Sequence, residues 1–381
     1  MNPILSIVVP TKNRYIYLME LVKLFLKLDY LNIELVIQDN SDDNNLFSQF
    51  IANQSDDRIK YYYENKHLDI VQNANLAIQN SSGEYVCFIG DDDGFSSSII
   101  DCVIWLKENS IDSLVLFNPV YTWPDVKSKI FNFSSSLKLD SYSGVFTEIS
   151  PQNELRKVLN KGGTSLEKMP RVYQGIVSRK SLDKLYMATG SFFPGPCPDI
   201  SNAVGLCFFV NKCYYLDYPV IVSGQGKKSG AGLGAQHKHQ GEIESLSFLP
   251  KRTATLWEND IPKVWTGETI WAESCVKALR NTGHEEFISS LNLNRLYAKF
   301  LIFNPKYYKC LIKMNNEIVL HKLIYYCFLL FNERLCAFVR NFLVIKLGIR
   351  TQGLVYNFRT IGDVFDYLNI HFHSINSTQK K

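Results

Sequence analysis

The chain has 381 residues, a length that predicts two domains or one large domain with an appendage. Hydrophobic residues make up 46% of it and charged residues 20%, which excludes an intrinsically disordered chain and a protein that crosses the membrane many times. The formal net charge of +4 is too small to indicate nucleic acid as a partner, so none is expected.

The first half of the chain alternates between strand and helix patterns. Short apolar runs rich in β-branched residues predict strands, and apolar residues at helical spacing predict helices. The predicted strands cover residues 4–9, 34–38, 59–63, 84–89 and 114–117, and the predicted helices cover residues 15–28, 70–80 and 98–108. Strands that alternate with helices predict an α/β fold with a parallel sheet and right-handed crossovers.

Polar residues follow three of these predicted strands directly. They are the segments 10–14 (PTKNR), 39–40 (DN) and 90–94 (GDDDG). Parallel sheets bind ligands beyond the carboxyl ends of their strands. We therefore expect these three segments to converge at one edge of the sheet.

The rest of the chain is less regular. Residues 120–165 are rich in Ser, Asn and Lys and predict an irregular or β-rich insertion. Residues 216–249 contain six glycines, and such a flexible segment would suit a loop that closes over a ligand. From about residue 265 onward the pattern is helical and strongly apolar.

Three consecutive carboxylates at 91–93 repel one another unless a cation or hydrogen-bond donors offset their charge. Hard divalent cations such as Mg²⁺ or Mn²⁺ take carboxylate and phosphate oxygens as ligands. The acidic run therefore predicts a divalent metal site. The alternative is a solvated acidic turn that caps the following helix.

The segments ILSIVVPTKNR, ELVIQDNSDD and NANLAIQNSSGEYVCFIGDDD resemble the amino-terminal half of family-2 glycosyltransferases. The resemblance covers residues 4–117 and, less closely, 168–240. It implies an inverting enzyme with a nucleotide-sugar donor and the GT-A fold, which is Rossmann-like with a mostly parallel central sheet. We expect a catalytic domain over residues 1–260 and a helical carboxyl-terminal extension over residues 261–381.

The resemblance also implies roles for individual residues. Asp39 would accept a hydrogen bond from the N3–H of the base, Asp91 would contact the ribose, Asp93 would bind the metal, and Asp92 could support either. The family commonly has an Arg-Asn pair where this chain has Ala74 and Asn75. The full set implied to bind the nucleotide sugar is Pro10, Thr11, Asn13, Arg14, Asp39, Asn75, Asp91 and Asp92.

Two further residues come from the second half of the resemblance. Asp199, in the step PCPDIS, would be the general base that takes the proton of the acceptor hydroxyl. The alternative is that Asp199 only caps a helix that begins near residue 200. His237, in GAQHKHQG, would complete the metal or pyrophosphate site, and its alternative is an exposed histidine on a mobile loop.

Residues 295–350 combine ten basic with two acidic residues, and aromatic residues lie between them. This pattern predicts helices that lie on an anionic membrane surface. The alternative is packing against the catalytic domain or a second subunit in a homo-oligomer. Nine cysteines without metal-binding spacing, and an amino terminus without a secretory signal, predict a cytoplasmic protein, peripheral at the inner face of the membrane.

Together these features predict a glycosyltransferase that uses Mn²⁺ or Mg²⁺ and moves a sugar, most simply from a UDP-sugar, to a glycan or lipid-linked glycan. The resemblance implies bacterial surface polysaccharide, such as O-antigen or capsule. A nucleotidyltransferase that makes nucleotide sugars, or a non-catalytic scaffold of a glycan-assembly complex, are the alternatives.

Overall fold

The computed structural model describes residues 2–127, 133–235, 240–314, 318–346 and 353–376. The strands are Leu5–Thr11 (β1), Ile33–Asp39 (β2), Ile59–Tyr63 (β3), Tyr85–Phe88 (β4), Gly94–Phe95 (β5), Ser113–Leu116 (β6), Val120–Thr122 (β7), Ser136–Lys138 (β8), Phe146–Ile149 (β9), Gly175–Ser178 (β10), Cys213–Leu216 (β11), Ile221–Gln225 (β12) and Leu354–Tyr356 (β13). The helices are Tyr15–Leu26 (α1), Asn45–Ala52 (α2), Ile70–Gln79 (α3), Ser98–Glu108 (α4), Pro151–Asn160 (α5), Arg179–Thr189 (α6), Pro198–Leu206 (α7), Gly230–Ala235 (α8), Gly267–Asn281 (α9), Leu293–Phe303 (α10), Tyr308–Ile312 (α11), Leu320–Lys346 (α12) and Ile361–Asn376 (α13).

The larger sheet has eight strands in the order β3-β2-β1-β4-β10-β6-β11-β9. β3, β2, β1 and β4 are parallel, and Val8 of β1 lies opposite Val36 on one side and Phe88 on the other. β10 runs antiparallel between β4 and β6, and β11 is again parallel to β6. The predicted α/β fold with a mostly parallel sheet is therefore confirmed.

Helices cover both faces of this sheet because its central strands are apolar on both faces. On one face, α1 and α4 bury side chains such as Phe25 and Val103 against β1 and β2. On the other face, α3 and α6 bury Ile78 and Leu185 against Val8 and Val36. The two layers fix the carboxyl edge of the sheet as a rigid frame.

The smaller sheet has the order β13-β8-β7-β12-β5. The insertion over residues 120–165 contributes β7, β8 and β9, as its β-rich character predicts, and also α5. Residues 128–132 lie outside the described residues. β12 pairs with β7 and with β5, so this sheet begins directly after the acidic run.

The carboxyl-terminal part is mainly helical. α9 packs against α7, and α12 packs against α10. β13 pairs antiparallel with β8, and α13 lies on α1. A β-carbon at Gly94 would lie 2.5 Å from Ile361 Cγ1, so α13 touches the chain beside the acidic run. The domain division at residue 260 stays a prediction, because these last elements return to the amino-terminal half.

Candidate active site

The carboxyl ends of β1, β2 and β4 meet at one edge of the larger sheet. The Thr11 hydroxyl donates a hydrogen bond of 2.6 Å to Asp91 Oδ2. The Asn40 N–H donates to the Thr11 carbonyl at 3.0 Å, and the Asn13 N–H donates to Ser41 Oγ at 2.7 Å. The structure thus brings together the three polar segments that follow these strands, as expected.

The three carboxylates of the acidic run are buried. Asp91, Asp92 and Asp93 expose 0%, 2% and 1% of their surface, so the alternative of a solvated acidic turn is wrong. Arg14 supplies positive charge, because its Nε lies 3.0 Å from Asp91 Oδ2 and its Nη1 lies 3.7 Å from Asp92 Oδ1. Ser97, not the acidic run, precedes the first residue of α4.

Burial sets the protonation of this cluster. It raises the pKa of Asp91 well above its ordinary value, although the charge of Arg14 opposes the shift. Burial and the neighbouring Asp92 raise the pKa of Asp93 in the same way. Burial lowers the pKa of Arg14, but Asp91 and Asp92 outweigh it and raise that pKa above its usual range. Added positive charge would therefore favour the ionised run.

Asp93 is held by donors from three separate segments. Its Oδ2 accepts hydrogen bonds from the Gly90 N–H at 2.8 Å and from Gln174 Nε2 at 2.9 Å. Its Oδ1 accepts a hydrogen bond of 2.7 Å from the Gly224 N–H. The carboxylate therefore ties β4, the segment before β10 and β12 together.

Asp92 and Asp91 differ from Asp93 in the donors that hold their carboxylate oxygens. Asp92 Oδ2 accepts one hydrogen bond, of 2.7 Å, from the Gly226 N–H. Asp91 Oδ1 is buried and has no hydrogen-bond partner in the described part of the chain.

A β-carbon at Gly224 would lie 1.7 Å from the Asp92 carbonyl oxygen, so this close approach requires glycine. Part of the predicted flexible loop at 216–249 is therefore ordered strand β12, packed on the acidic run.

Asp39 lies beside this cluster at the end of β2 and is fully buried. Its Oδ2 accepts hydrogen bonds from Tyr15 and Tyr61, at 2.7 Å and 2.8 Å, and its Oδ1 accepts one from the Ser41 N–H at 2.8 Å. A carboxylate has about four lone-pair sites, so one acceptor site is left for a ligand.

The other residues implied to bind the donor lie at different places. Pro10 is part of β1 and lies opposite Gln38 of β2. The Asn13 side chain pairs with Asp42, so it joins the β1 and β2 loops. The Asn75 side chain hydrogen-bonds to Ser191 and Phe192. Within the described residues none of these three side chains has a hydrogen bond to a carboxylate of the acidic run.

Asp199 lies in the first turn of α7, and this helix begins at Pro198 after Cys197. The N-cap residue of α7 is Cys197, so Asp199 is not the N-cap residue that the alternative assumed. The residue is half-buried, and burial raises the pKa of its carboxyl to about 6, although Arg171 opposes the shift. Burial raises the pKa of Tyr173, and the charges of Asp93 and Asp199 raise it further. A β-carbon at Gly90 would lie 3.4 Å from the Tyr173 hydroxyl and 3.3 Å from Asp93 Oδ2, so this phenol lies beside the acidic run.

A family model described as "Glycosyl transferase family 2" matches residues 6–130. This stretch of the chain belongs to glycosyl transferase family 2. The family membership and the sheet order, with parallel strands followed by one antiparallel strand, agree with the predicted GT-A fold. The match begins at the second residue of β1, extends beyond β7 and includes the whole acidic run.

Relatives of known name are similar to part of this chain. One is the GalNAc(5)-diNAcBac-PP-undecaprenol beta-1,3-glucosyltransferase of Campylobacter jejuni, 32% identical over 105 residues, which are 27% of this chain and 34% of the relative. Another, in Escherichia coli, is provisionally named the colanic acid biosynthesis glycosyl transferase WcaA. It is 27% identical over 139 residues, 36% of this chain and 49% of the relative. The chain thus spans between a third and half of the length of these relatives.

Among solved structures, S. aureus TarS residues 1–349 in complex with UDP-GlcNAc is similar to this chain. The TM-score is 0.46, the identity is 14%, and the match covers 81% of each chain. This likeness is too distant to support an argument about function.

Two site residues, Tyr173 and Gln174, were not predicted from the sequence. Gly224 and Gly226 were predicted only as part of the flexible segment 216–249, and not as donors to the acidic run. Because β10 is antiparallel to β4, its amino end lies at the edge where the parallel strands have their carboxyl ends. The polar pair before β10 could have been found had the direction of this strand been known.

His237 lies outside the described residues, so the structure gives no position for it. Among the residues that are described, no group of three or more His, Cys, Asp or Glu side chains is arranged to hold a metal ion. A cation at this edge would therefore depend on one or two carboxylates of the acidic run, together with diphosphate oxygens and water. The unpartnered Asp91 Oδ1 fits such a cation.

Proposed function

We propose that this protein is an inverting glycosyltransferase that transfers a sugar from a nucleotide sugar to a glycan or lipid-linked glycan. One observation carries the proposal. Within a glycosyl transferase family 2 domain, a buried acidic run lies where three parallel strands end, and one of its carboxylate oxygens has no hydrogen-bond partner in the described residues. The charge of a further carboxylate, Asp199, raises the pKa of Tyr173 beside this run.

We propose a uridine nucleotide as the donor. Uracil carries an N3–H donor, and Asp39 has one acceptor site left for it. Thr11 and Arg14 would hold the ribose and diphosphate side of the donor through their positions beside Asp91. Pro10 and Asn13 would shape the loop around the base, and Asn75 would support the acceptor-side loop at Ser191.

The acidic run would hold a divalent cation, Mn²⁺ or Mg²⁺, together with the donor diphosphate. When bound, such a cation supplies a Lewis acid that stabilises negative charge on the departing nucleoside diphosphate. Asp91 and Asp92 would be its protein ligands. Asp91 Oδ1 has no hydrogen-bond partner in the described residues, and Asp92 Oδ1 lies 3.7 Å from Arg14 Nη1, which is beyond hydrogen-bond distance. His237 remains a further candidate ligand. Arg14 adds a fixed positive charge beside the same oxygens.

Asp199 would act as the general base. It is half-buried and is not the N-cap residue of α7, and its charge, like that of Asp93, raises the pKa of Tyr173. A base whose pKa burial has raised to about 6 is ionised at neutral pH and accepts a proton more readily than an ordinary aspartate. The acceptor hydroxyl would lose its proton to Asp199 as it attacks the anomeric carbon.

The sharpest test of this assignment is the Asp199→Asn variant. General-base catalysis contributes about 10²–10⁴-fold, so transfer and donor hydrolysis should fall by that factor. The affinity for UDP, measured by calorimetry with Mn²⁺ present, should stay the same because Asp199 does not hold the donor. A variant with full activity, or one that loses UDP affinity to the same degree, would refute the role.

A panel of nucleotide sugars, each with Mn²⁺, would identify the donor by thermal stabilisation, because a ligand that binds only the native state raises its melting temperature. Release of a nucleoside diphosphate would then support glycosyl transfer. Release of pyrophosphate would support the nucleotidyltransferase alternative. Binding of no member of the panel would favour the scaffold.

We also propose that α12 lies on an anionic membrane surface at the inner face of the cell membrane, where a lipid-linked acceptor would be found. Leu320, Ile324, Phe328 and Phe331 of this helix each expose more than half of their surface. Within the described residues, no helix meets the length and hydropathy needed to cross a bilayer. An exposed apolar helix with basic residues is typical of interfacial binding. The same surface could instead join two subunits.

A further inference from the structure

The acidic run contains three neighbouring carboxylates, and their hydrogen bonds divide them into two kinds. We infer that Asp93 is the buried anchor of the run rather than a ligand of the donor-bound cation, and that Gln174 is a positioning residue that holds this anchor. The resemblance implied that Asp93 binds the metal, so the inference revises that prediction. Its cation part rests on the proposed function, and its anchor part does not.

The first step is the acceptor capacity of Asp93. Three of its about four lone-pair sites already receive hydrogen bonds, from Gly90, Gln174 and Gly224. Two of these donors are backbone N–H groups, which cannot turn away from the carboxylate as a side chain can. The one site left is on Oδ1, the oxygen that the Gly224 N–H already holds. Asp93 therefore offers a cation fewer free sites than Asp91, whose Oδ1 has no hydrogen-bond partner in the described residues, or Asp92, which accepts one hydrogen bond.

The second step is the conformation of Gln174. Its φ of 54° lies in the left-handed region, which residues other than glycine rarely adopt. Its N–H donates to the Phe88 carbonyl at 2.8 Å, and its own carbonyl accepts from Asn118 Nδ2 at 3.2 Å. A glycine would adopt this φ at less cost but would lack the carboxamide. The use of glutamine here indicates that its side chain is needed.

The third step concerns the hydrogen-bond partners of the Gln174 side chain. Gln174 Nε2 donates to Asp93 Oδ2 and to Ser223 Oγ, both at 2.9 Å. It therefore joins the acidic run to β12, the strand whose Gly224 N–H holds the other Asp93 oxygen. Together Asp93 and Gln174 fix the distance between β4 and β12.

The fourth step is what remains for a cation. Asp91 Oδ1 has no partner in the described residues, and the nearest charged partner of Asp92 Oδ1 is Arg14 Nη1 at 3.7 Å. Both oxygens belong to the two residues directly before Asp93 in the chain. We therefore assign the cation to Asp91 and Asp92, at positions that the Asp93–Gln174 pair sets.

Thermal unfolding of the full chain in EDTA tests the anchor without any ligand. Asp93→Asn turns an amide NH₂ group, which cannot accept, towards donors that the carboxyl oxygens satisfy, and Gln174→Met removes one of these donors. Each variant should therefore lower Tm by about 3–8 °C. The double variant should fall little further than the worse single variant, because both changes break one network. Asp92→Asn should not lower Tm, since it reduces repulsion. Gln49→Met, on the exposed side of α2, is the control.

Calorimetry of UDP binding, with Mn²⁺ or with EDTA, tests the cation ligands. Asp92→Asn should reduce the affinity measured with Mn²⁺ to the value measured in EDTA. Gln174→Met should keep a clear Mn²⁺-dependent increase, with UDP bound up to about tenfold more weakly because the ligands are less well positioned. If Asp93→Asn does not fold, this result supports the role of Asp93 as the anchor. UDP binding is then measured on Gln174→Met alone.

An unchanged Tm for both Asp93→Asn and Gln174→Met would overturn the anchor. Loss of the Mn²⁺-dependent increase in folded Asp93→Asn, with the increase retained in Asp92→Asn, would overturn the cation assignment. If the unaltered protein binds no UDP with Mn²⁺, the proposed function fails. In that case the melting temperatures still test whether Asp93 and Gln174 form the anchor.

Discussion

At the scale of single residues, Asp199 combines a catalytic advantage with a cost in stability. Burial raises the pKa of its carboxyl from 3.8 to about 6. A group whose pKa is higher in the folded state stabilises the fold while it is protonated, and this stabilisation is lost as the pH rises through about 6. At neutral pH Asp199 is therefore ionised and able to act as a base, but its charge destabilises the folded state.

This conflict gives a prediction about pH. kcat/KM should rise with pH, with its midpoint near the pKa of about 6. At pH 7–8 the Asp199→Asn variant should be more stable than the unaltered protein by about 1–2 kcal/mol, and the difference should disappear below about pH 4. Urea unfolding of both proteins between pH 4 and 8 measures this. A stability difference that does not change with pH would contradict it.

The residues that sequence could predict are those that directly follow a strand. Thr11, Asp39 and Asp91 were expected at one edge, and the structure brings them there. Gln174 was not found, because nothing in the residues around it signals a φ of 54° or a contact with Asp93. That contact forms only when segments 81 residues apart fold together.

At the scale of elements, the amino-terminal strands and helices were predictable from their apolar period. The predicted helix at 98–108 and strand at 59–63 coincide with α4 and β3. The direction of β10 was not predictable, because a four-residue strand of the sequence GIVS can pair in either direction until the neighbouring strands are known. The antiparallel direction of β10 places Tyr173 and Gln174, which precede it, at the site.

The elements at the carboxyl terminus contribute to the fold near the site. Phe365 of α13 is 3% exposed and belongs to the apolar cluster that includes Tyr17, Leu24 and Trp123. A β-carbon at Gly94 would lie 2.6 Å from Phe365 Cε2, so this ring packs beside the acidic run. α13 therefore supports a site whose other parts come from the first half of the chain.

The Phe365→Ala variant should lower the free energy of unfolding by about 3–5 kcal/mol, because it leaves a cavity in this cluster. Urea unfolding measures the loss. Ile370→Ala, in the same helix but 73% exposed, is the matched control and should change stability by less than about 0.5 kcal/mol. Equal effects of the two changes would mean that α13 does not pack as described.

At the scale of the whole molecule, charge and apolar surface are separated. The acidic groups of the site are buried at the sheet edge, and Arg14 and backbone N–H groups offset them. The largest exposed apolar side chains concentrate on α12, which also carries exposed Lys322, Arg334 and Arg340. A monomeric protein in water gains nothing from such a surface, so the helix is expected to contact a membrane or another subunit.

Vesicle binding tests which contact α12 makes. The protein should sediment with vesicles that contain phosphatidylglycerol at low salt, and added salt should release part of it. Phe328→Ser combined with Phe331→Ser should weaken this binding by about tenfold or more, because each ring contributes about 1.5–3 kcal/mol when it leaves water. Leu46→Ser, a similarly exposed apolar residue on α2, is the control and should bind as before. Failure to bind anionic vesicles at low salt, together with a dimer in solution that the two Phe changes dissociate, would show that α12 joins subunits instead.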